Sequence, residues 1–374
     1  MGGEAQSLRI GINALYLIPG GVGGTEIYLR GLLSALAETD PLHSYFVFTN
    51  RETDADLVPA AANFEQVRQN VRAVSRLARL LWEQTVLPLM AVRLKLDVML
   101  NPGFTAPLFC PCPQVTVFHD LQHKRHPEYF RWFDLPFWRF FLYGAAHVSR
   151  RLLADSAATA ADLFRFYRLP ESMVKVVPLG VDPVFFELGR RRRPERFLLA
   201  VSTLHPHKNL DGLLRAFAIF RRSHPDFRLV VCGMHGFFTG PLRELRDHLD
   251  LGDSVEFPGW IPREALHDLY ARAWAFVYPS LFEGFGLPVL EALASAVPAA
   301  CSAIEPIAGV AGDAALLFNP RDPVAFAQAL DRITDDAALR GRLAALGPRR
   351  AEQFSWKATA ASTLEALVSA TQAV

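Results

Sequence analysis

Apolar residues along this chain fall mostly into short unbroken runs, separated by stretches in which they recur every three or four positions. Residues 8–15 form such a run and read as a buried strand, followed by a flexible glycine loop at 20–24. Ile27, Leu29, Leu32, Leu33 and Leu36 then repeat near helical spacing, which predicts a helix over 25–38. Runs at Ser44–Thr49, Val98–Asn101 and Gln114–Phe118 predict further strands, with mostly helical chain between them. A basic, irregular stretch at 189–194 interrupts this pattern.

Beyond it the alternation is regular. Strands are expected at 197–202, 227–233, 255–257, 276–279 and Ala299–Ser302, and helices at 209–224, 241–249, 264–274 and 288–295. A last helix is expected over 355–374. Strands alternating with helices of this length require parallel sheets with right-handed crossovers. The fold class is therefore α/β, with two Rossmann-like β/α/β halves whose strand-end loops face a cleft.

Composition narrows the function classes. The 374 residues suit two or three domains, and 51% hydrophobic with 21% charged residues is ordinary for a globular chain. Lys plus Arg is 39 and Asp plus Glu is 38, a formal net charge of +1, so binding to nucleic acid through bulk charge is not expected. Cys110, Cys112, Cys232 and Cys301 are too few for a disulfide framework and form no C-x-x-C pair, which points to a reducing, cytoplasmic setting. The apolar stretch at 10–19 runs straight into glycines and reads as a strand, not a signal segment. No run of about 20 apolar residues is present, so a membrane span is not expected.

The segment richest in chemistry is Tyr278-Pro-Ser-Leu-Phe-Glu283-Gly-Phe-Gly-Leu-Pro288-Val-Leu-Glu291. Two glutamates flank a glycine-rich strand-to-helix turn, and Pro288 suits the first turn of a helix. Amides at Gly284, Phe285, Gly286 and Leu287 at that helix start would favour an anion. Carboxylates are acceptors suited to vicinal hydroxyls, although Glu291 could also simply complement the helix dipole.

This string resembles the E-x7-E motif of retaining GT-B glycosyltransferases of family 4, the group 1 transferases, among them bacterial mannosyl- and hexosyltransferases of surface polysaccharide assembly. Residues 264–280 and 310–320 resemble the segments on either side of it. Ser202-Thr203-Leu-His-Pro-His-Lys208 is similar to the loop whose lysine contacts the donor diphosphate; relatives often carry an arginine where Thr203 stands. Val117-Phe-His119-Asp120 resembles the motif in which the histidine lies beside the transferred sugar, with Asp120 available to orient the ring. The loop containing Gly23 and Gly24 resembles one near the donor phosphates. Glu26 stands where G-x-G-x-x-G needs its last glycine, so a dinucleotide fingerprint fails.

The resemblance implies a hexose, with mannose from GDP-mannose first, moved from a nucleotide diphosphate sugar to a glycan or lipid-linked glycan acceptor. It assigns Glu291 to the ribose, Glu283 to sugar hydroxyls, Lys208 with Gly284–Leu287 to the diphosphate and His119 to the sugar. No cofactor and no metal are implied. The implied domains are 1–186, a linker at 187–196, a donor domain at 197–354 and a helix at 355–374 returning to the first domain. The alternatives are a GT-B phosphorylase or sugar-phosphate synthase, and a non-catalytic nucleotide-sugar-binding protein of the same fold.

Three features stand outside that pattern. His119, His123 and His126 have metal-compatible spacing on a helix, but Pro127 and the preceding strand argue against one. Asp54-Ala-Asp56 is a D-x-D without supporting context. Residues 128–151 interleave nine aromatics with arginines, which suits either a membrane interface with the protein peripheral on the inner face of the cytoplasmic membrane, or a core helix pair with arginines reaching outward. The spread of charge favours the core.

Overall fold

The computed structural model describes residues 7–234 and 238–372. Its chain forms two units, Met1–Gly180 with Ser355–Val374, and Val181–Phe354.

The first unit contains strands β1 (Arg9–Asn13), β2 (Ser44–Thr49), β3 (Phe64–Arg68), β4 (Val98–Asn101), β5 (Gln114–Phe118), β6 (Arg151–Ala154) and β7 (Val174–Val176). They pair in the order β3-β2-β1-β4-β5-β6-β7, and every pairing is parallel. The connecting helices are α1 (Gly24–Thr39), α2 (Arg76–Arg93), α3 (Gln122–Arg125), α4 (Leu135–Val148) and α5 (Ala157–Tyr167). Ile10 and Ile12 of β1 are fully buried, as expected of a central strand covered on both faces. β3 was not expected from the sequence; it is an edge strand with no fully buried position, so its apolar signal is weak.

The second unit contains α6 (Val184–Arg190), β8 (Phe197–Val201), α7 (Leu210–Phe220), β9 (Arg228–Cys232), α8 (Thr239–His248), β10 (Val255–Gly259), α9 (Arg263–Arg272), β11 (Ala275–Tyr278), α10 (Leu287–Ala294), β12 (Ala299–Ser302), α11 (Ile307–Ala311), β13 (Ala315–Phe318), α12 (Pro323–Asp335) and α13 (Ala337–Ala351). The sheet order is β10-β9-β8-β11-β12-β13, again parallel throughout. Leu210, Leu213, Leu214, Phe217 and Phe220 form the buried stripe of α7, which packs on α12. Asp322 and Asp336 cap α12 and α13 by accepting from backbone amides in their first turns.

The unit boundary falls after Gly180 rather than at 186, and residues expected to belong to an irregular linker at 187–196 begin inside α6. In the arginine run at the end of this short helix Arg190, Arg191 and Arg193 are exposed, whereas Arg192 is half-buried and donates to the Ala273 carbonyl at 2.8 Å. The final helix, α14 (Trp356–Thr371), belongs to the first unit and packs on α1 and on β4 to β6. Ser355 caps it, Thr359 Oγ1 donates to the Pro178 carbonyl at 2.7 Å, and Lys175 pairs with Glu365 at 2.7 Å.

The aromatic stretch does not build the core. None of its nine aromatic rings is buried; on α4 the buried residues are Leu142, Ala145 and Ala146. These three seat the helix with Trp138 half-buried against the same cluster, while Phe140 and Tyr143 are exposed.

Candidate active site

Each sheet reverses its strand order once, between β1 and β4 in the first unit and between β8 and β11 in the second. Loops leaving the carboxyl ends of strands at such a point diverge and leave room for a ligand. In the second unit these loops are 202–209 after β8 and 279–286 after β11. Both carry expected site residues.

The two loops are bonded to each other. The Leu281 amide donates to the His207 carbonyl at 2.8 Å. Asn209, in a left-handed conformation at the start of α7, donates from its side chain to the carbonyls of Pro279 and Pro320 at 3.1 and 2.9 Å. Behind them Gly233 comes so close to Ser202 that a Cβ would lie 1.9 Å from its carbonyl oxygen. Its φ of 147° is one that side chains other than hydrogen rarely accept.

Lys208 and Glu283 meet here. Lys208 Nζ donates to Glu283 Oε1 at 2.7 Å, with both side chains largely buried, and the ammonium lies 5.8 Å from the Tyr278 ring centre. An ammonium has three donors, so one bond to Glu283 leaves two for an anion. Thr203 lies in the same loop, and its carbonyl accepts from the His205 amide at 2.9 Å. The His205 pKa is lowered, by burial first and then by the Lys208 charge.

Gly284, Phe285 and Gly286 lead into α10. Gly286 has φ 108° and caps the helix, which begins at Leu287 with Pro288 in its first turn. The helix N-terminus therefore stands beside Glu283, adding a favourable potential for anions. Glu291 lies just past the first turn of α10 and is buried. Its Oε2 accepts from the Tyr270 hydroxyl at 2.9 Å. Burial pushes the Glu291 pKa up to about 7, against the hydrogen bond from Tyr270 and the nearby Arg263 charge. Near neutral pH this carboxyl is thus balanced between an acid and an acceptor. Arg263 is itself paired with Asp182 at 2.5 Å.

The remaining candidates lie in the first unit. Gly23 is the N-cap of α1 and Gly24 its first residue. The failed fingerprint position has a local role: Glu26 accepts from the Gly20 amide at 2.8 Å and pairs with Arg30 at 2.9 Å, so it holds the glycine loop closed on α1. His119 follows β5 and is buried, with the Tyr28 and Phe104 rings each centred 5.0 Å away. Both of its nitrogens are engaged, Nδ1 with Asp155 Oδ2 at 2.7 Å and Nε2 with the Pro102 carbonyl at 2.9 Å. Two acceptors around one ring favour the imidazolium. Burial alone would lower the His119 pKa, but the Asp155 charge and hydrogen bond outweigh it and the value is raised.

The ring is thus oriented by Asp155 and not by Asp120, whose carboxylate accepts from the Gln122 amide at 2.9 Å. His123 and His126 turn elsewhere, to the Tyr167 hydroxyl at 2.8 Å and to Glu128 at 3.0 Å. Among the described residues no three metal-ligating side chains cluster. Asp155 and Tyr270 were missed by sequence reasoning because each partners a residue far along the chain. The one available signal for Asp155 was an acid at the carboxyl end of a short apolar strand.

Comparison with known proteins agrees with this architecture. Residues 22–185 match the model of Glycosyltransferase Family 4 and residues 185–350 that of Glycosyl transferases group 1. The chain belongs to this glycosyltransferase family and has the two-domain GT-B fold. It is 28% identical to an O-antigen chain mannosyltransferase B of Escherichia coli, over 67% of this chain and 69% of that one. It is 33% identical to an MMP α-(1→4)-mannosyltransferase of Mycolicibacterium hassiacum, over 67% and 63%. The chain spans between about half and two thirds of the length of the curated relatives it matches. In structure it is similar to Anabaena HepE in complex with UDP-glucose, with a TM-score of 0.74, 18% identity, and 97% and 100% of the two chains covered.

Proposed function

We propose that this protein is a retaining, metal-independent hexosyltransferase that moves mannose from GDP-mannose to a glycan or lipid-linked glycan acceptor. The observation that carries the reading is the Lys208–Glu283 pair, held largely out of water at the switch point beside the start of α10. The two mannosyltransferase relatives support the sugar, and the nucleotide-sugar complex of HepE supports the donor class.

Lys208, with two N–H groups left over, and the amides opening α10 bind the diphosphate and take up charge as it departs. This electrostatic stabilisation stands where a metal ion would otherwise serve. Glu283, fixed by Lys208, accepts from hexose hydroxyls, and Glu291 accepts from the ribose. His119 reaches a sugar hydroxyl by exchanging its Pro102 contact while Asp155 keeps Nδ1. The departing phosphate takes the acceptor's proton on the same face, so the anomeric configuration is kept. A lipid-linked acceptor places this chemistry at the inner face of the cytoplasmic membrane.

Incubation with a panel of nucleotide sugars and a chelator, followed by nucleotide release and NMR of the product anomer, tests the proposal. GDP release from GDP-mannose, insensitive to chelator, with an α-linked product and loss on Lys208→Ala, is expected. An inverted product or a chelator-sensitive rate overturns it.

A further inference from the structure

The first unit carries an apolar face that the chemistry above does not use. Leu77 and Leu81 of α2, Phe109 of the loop after β4, and Trp132, Phe133 and Phe140 in and before α4 are each between 55% and 86% exposed. These elements are joined side by side. Arg76 of α2 pairs with Asp134 at 3.4 Å and lies 5.0 Å from the Trp138 ring centre. Further along, the Gln84 side chain accepts from the Leu108 amide at 2.8 Å, and the Leu108 side chain lies over Gly144 of α4. Phe109 therefore projects from a loop wedged between α2 and α4, and the exposed residues share one face.

The exposed charge here is mainly positive. α2 and α4 hold a single carboxylate, Glu83, which is buried; Asp134 just before α4 is paired with Arg76, and Arg93, Arg139 and Arg131 of the preceding loop are exposed. The chain as a whole is only +1, so the bias is local. Exposed patches of this kind mark interaction sites. Tryptophan and phenylalanine beside arginines suit the boundary between headgroups and acyl chains of an anionic leaflet. A second copy of the same face would oppose arginine to arginine across a two-fold axis.

We infer that the α2–α4 face of the first unit docks laterally on a bilayer surface bearing anionic lipid headgroups. No helix among the described residues is long and apolar enough to cross a membrane, so the contact lies in the plane of the surface. The inference deepens the lipid-linked acceptor reading and rests on it for the biological setting, while the surface itself is read from the residues.

Sedimentation of the full chain with vesicles of phosphatidylcholine, alone or mixed with phosphatidylglycerol, tests it. Binding to the mixed vesicles, weakened by salt, is expected, with a loss of about tenfold in Trp132→Ser/Phe140→Ser. Because exposed sites are changed, GDP release with a soluble acceptor should persist in that variant. Quenching of wild-type tryptophan fluorescence by brominated lipid, absent in Trp132→Phe, reports the contact without relying on a destabilising change. Equal sedimentation with both vesicle types, unchanged binding by the variant, or a dimer in ultracentrifugation that the variant abolishes overturns the docking proposal. Vesicle binding without turnover of any donor overturns the catalytic reading and leaves the docking surface standing.

Discussion

Glu291→Gln gives the most direct access to the second unit's site. The folded carboxyl titrates at about 7 against an ordinary 4.5, chiefly because it is buried. Between those values the folded protein holds a proton that the unfolded chain has released, so stability falls as pH rises through that window and levels off above it. At about 1.4 kcal/mol per pH unit, the loss is about 3 kcal/mol. Glutamine keeps an acceptor for the Tyr270 hydroxyl but cannot ionise. The variant should therefore exceed the wild type by about 3 kcal/mol at pH 8 and by less than about 1 kcal/mol at pH 5. Urea unfolding at both pH values, followed by tryptophan fluorescence, reads the difference. A gap of the same size at both pH values would refute the argument. If ribose hydroxyls donate to Glu291, nucleotide binding favours the ionised form and releases a proton below pH 7. Wild-type affinity for GDP should then fall by up to about tenfold per pH unit, a dependence the variant lacks.

Two further outcomes follow from the first unit's histidine and the second unit's tightest backbone approach. The raised His119 pKa contributes stability that is full below about 6.5 and is lost as pH rises through the folded value. Asp155→Asn should remove that dependence and lower the imidazole titration seen by NMR; an unshifted titration would show that Asp155 does not hold the charge. Gly233→Ala should cost about 3 kcal/mol or more in thermal unfolding, since its Cβ meets the Ser202 carbonyl at a φ few residues accept. Gly240→Ala, with nothing within 4 Å of the added carbon, serves as the control and should be harmless.

Much of this was legible beforehand where burial was continuous. β2, β4, β5 and β12 fall where apolar runs put them, because a strand covered on both faces writes itself as an unbroken run. β3, exposed at the edge, leaves no such mark. The aromatic stretch misled for a related reason: periodicity reveals that a helix has an apolar side, not whether anything covers it. Among the candidate site residues, Lys208 and Glu283 were each singled out by local motifs. Their direct bond was not, because it depends on β8 and β11 being neighbours although 73 residues lie between the end of one and the start of the other.

The return of α14 to the first unit bears on synthesis. Everything from Val181 to Phe354 leaves the ribosome before the helix that lies on α1, β4, β5 and β6. The second unit can thus complete its sheet while the first still shows the apolar surface that Trp356 and Leu367 will cover, reversing the usual N-terminal-first order. A stalled or clipped chain lacking only its last helix would consequently carry a finished second unit and an unfinished first. Such a chain should be a client for chaperones through its earliest-made residues.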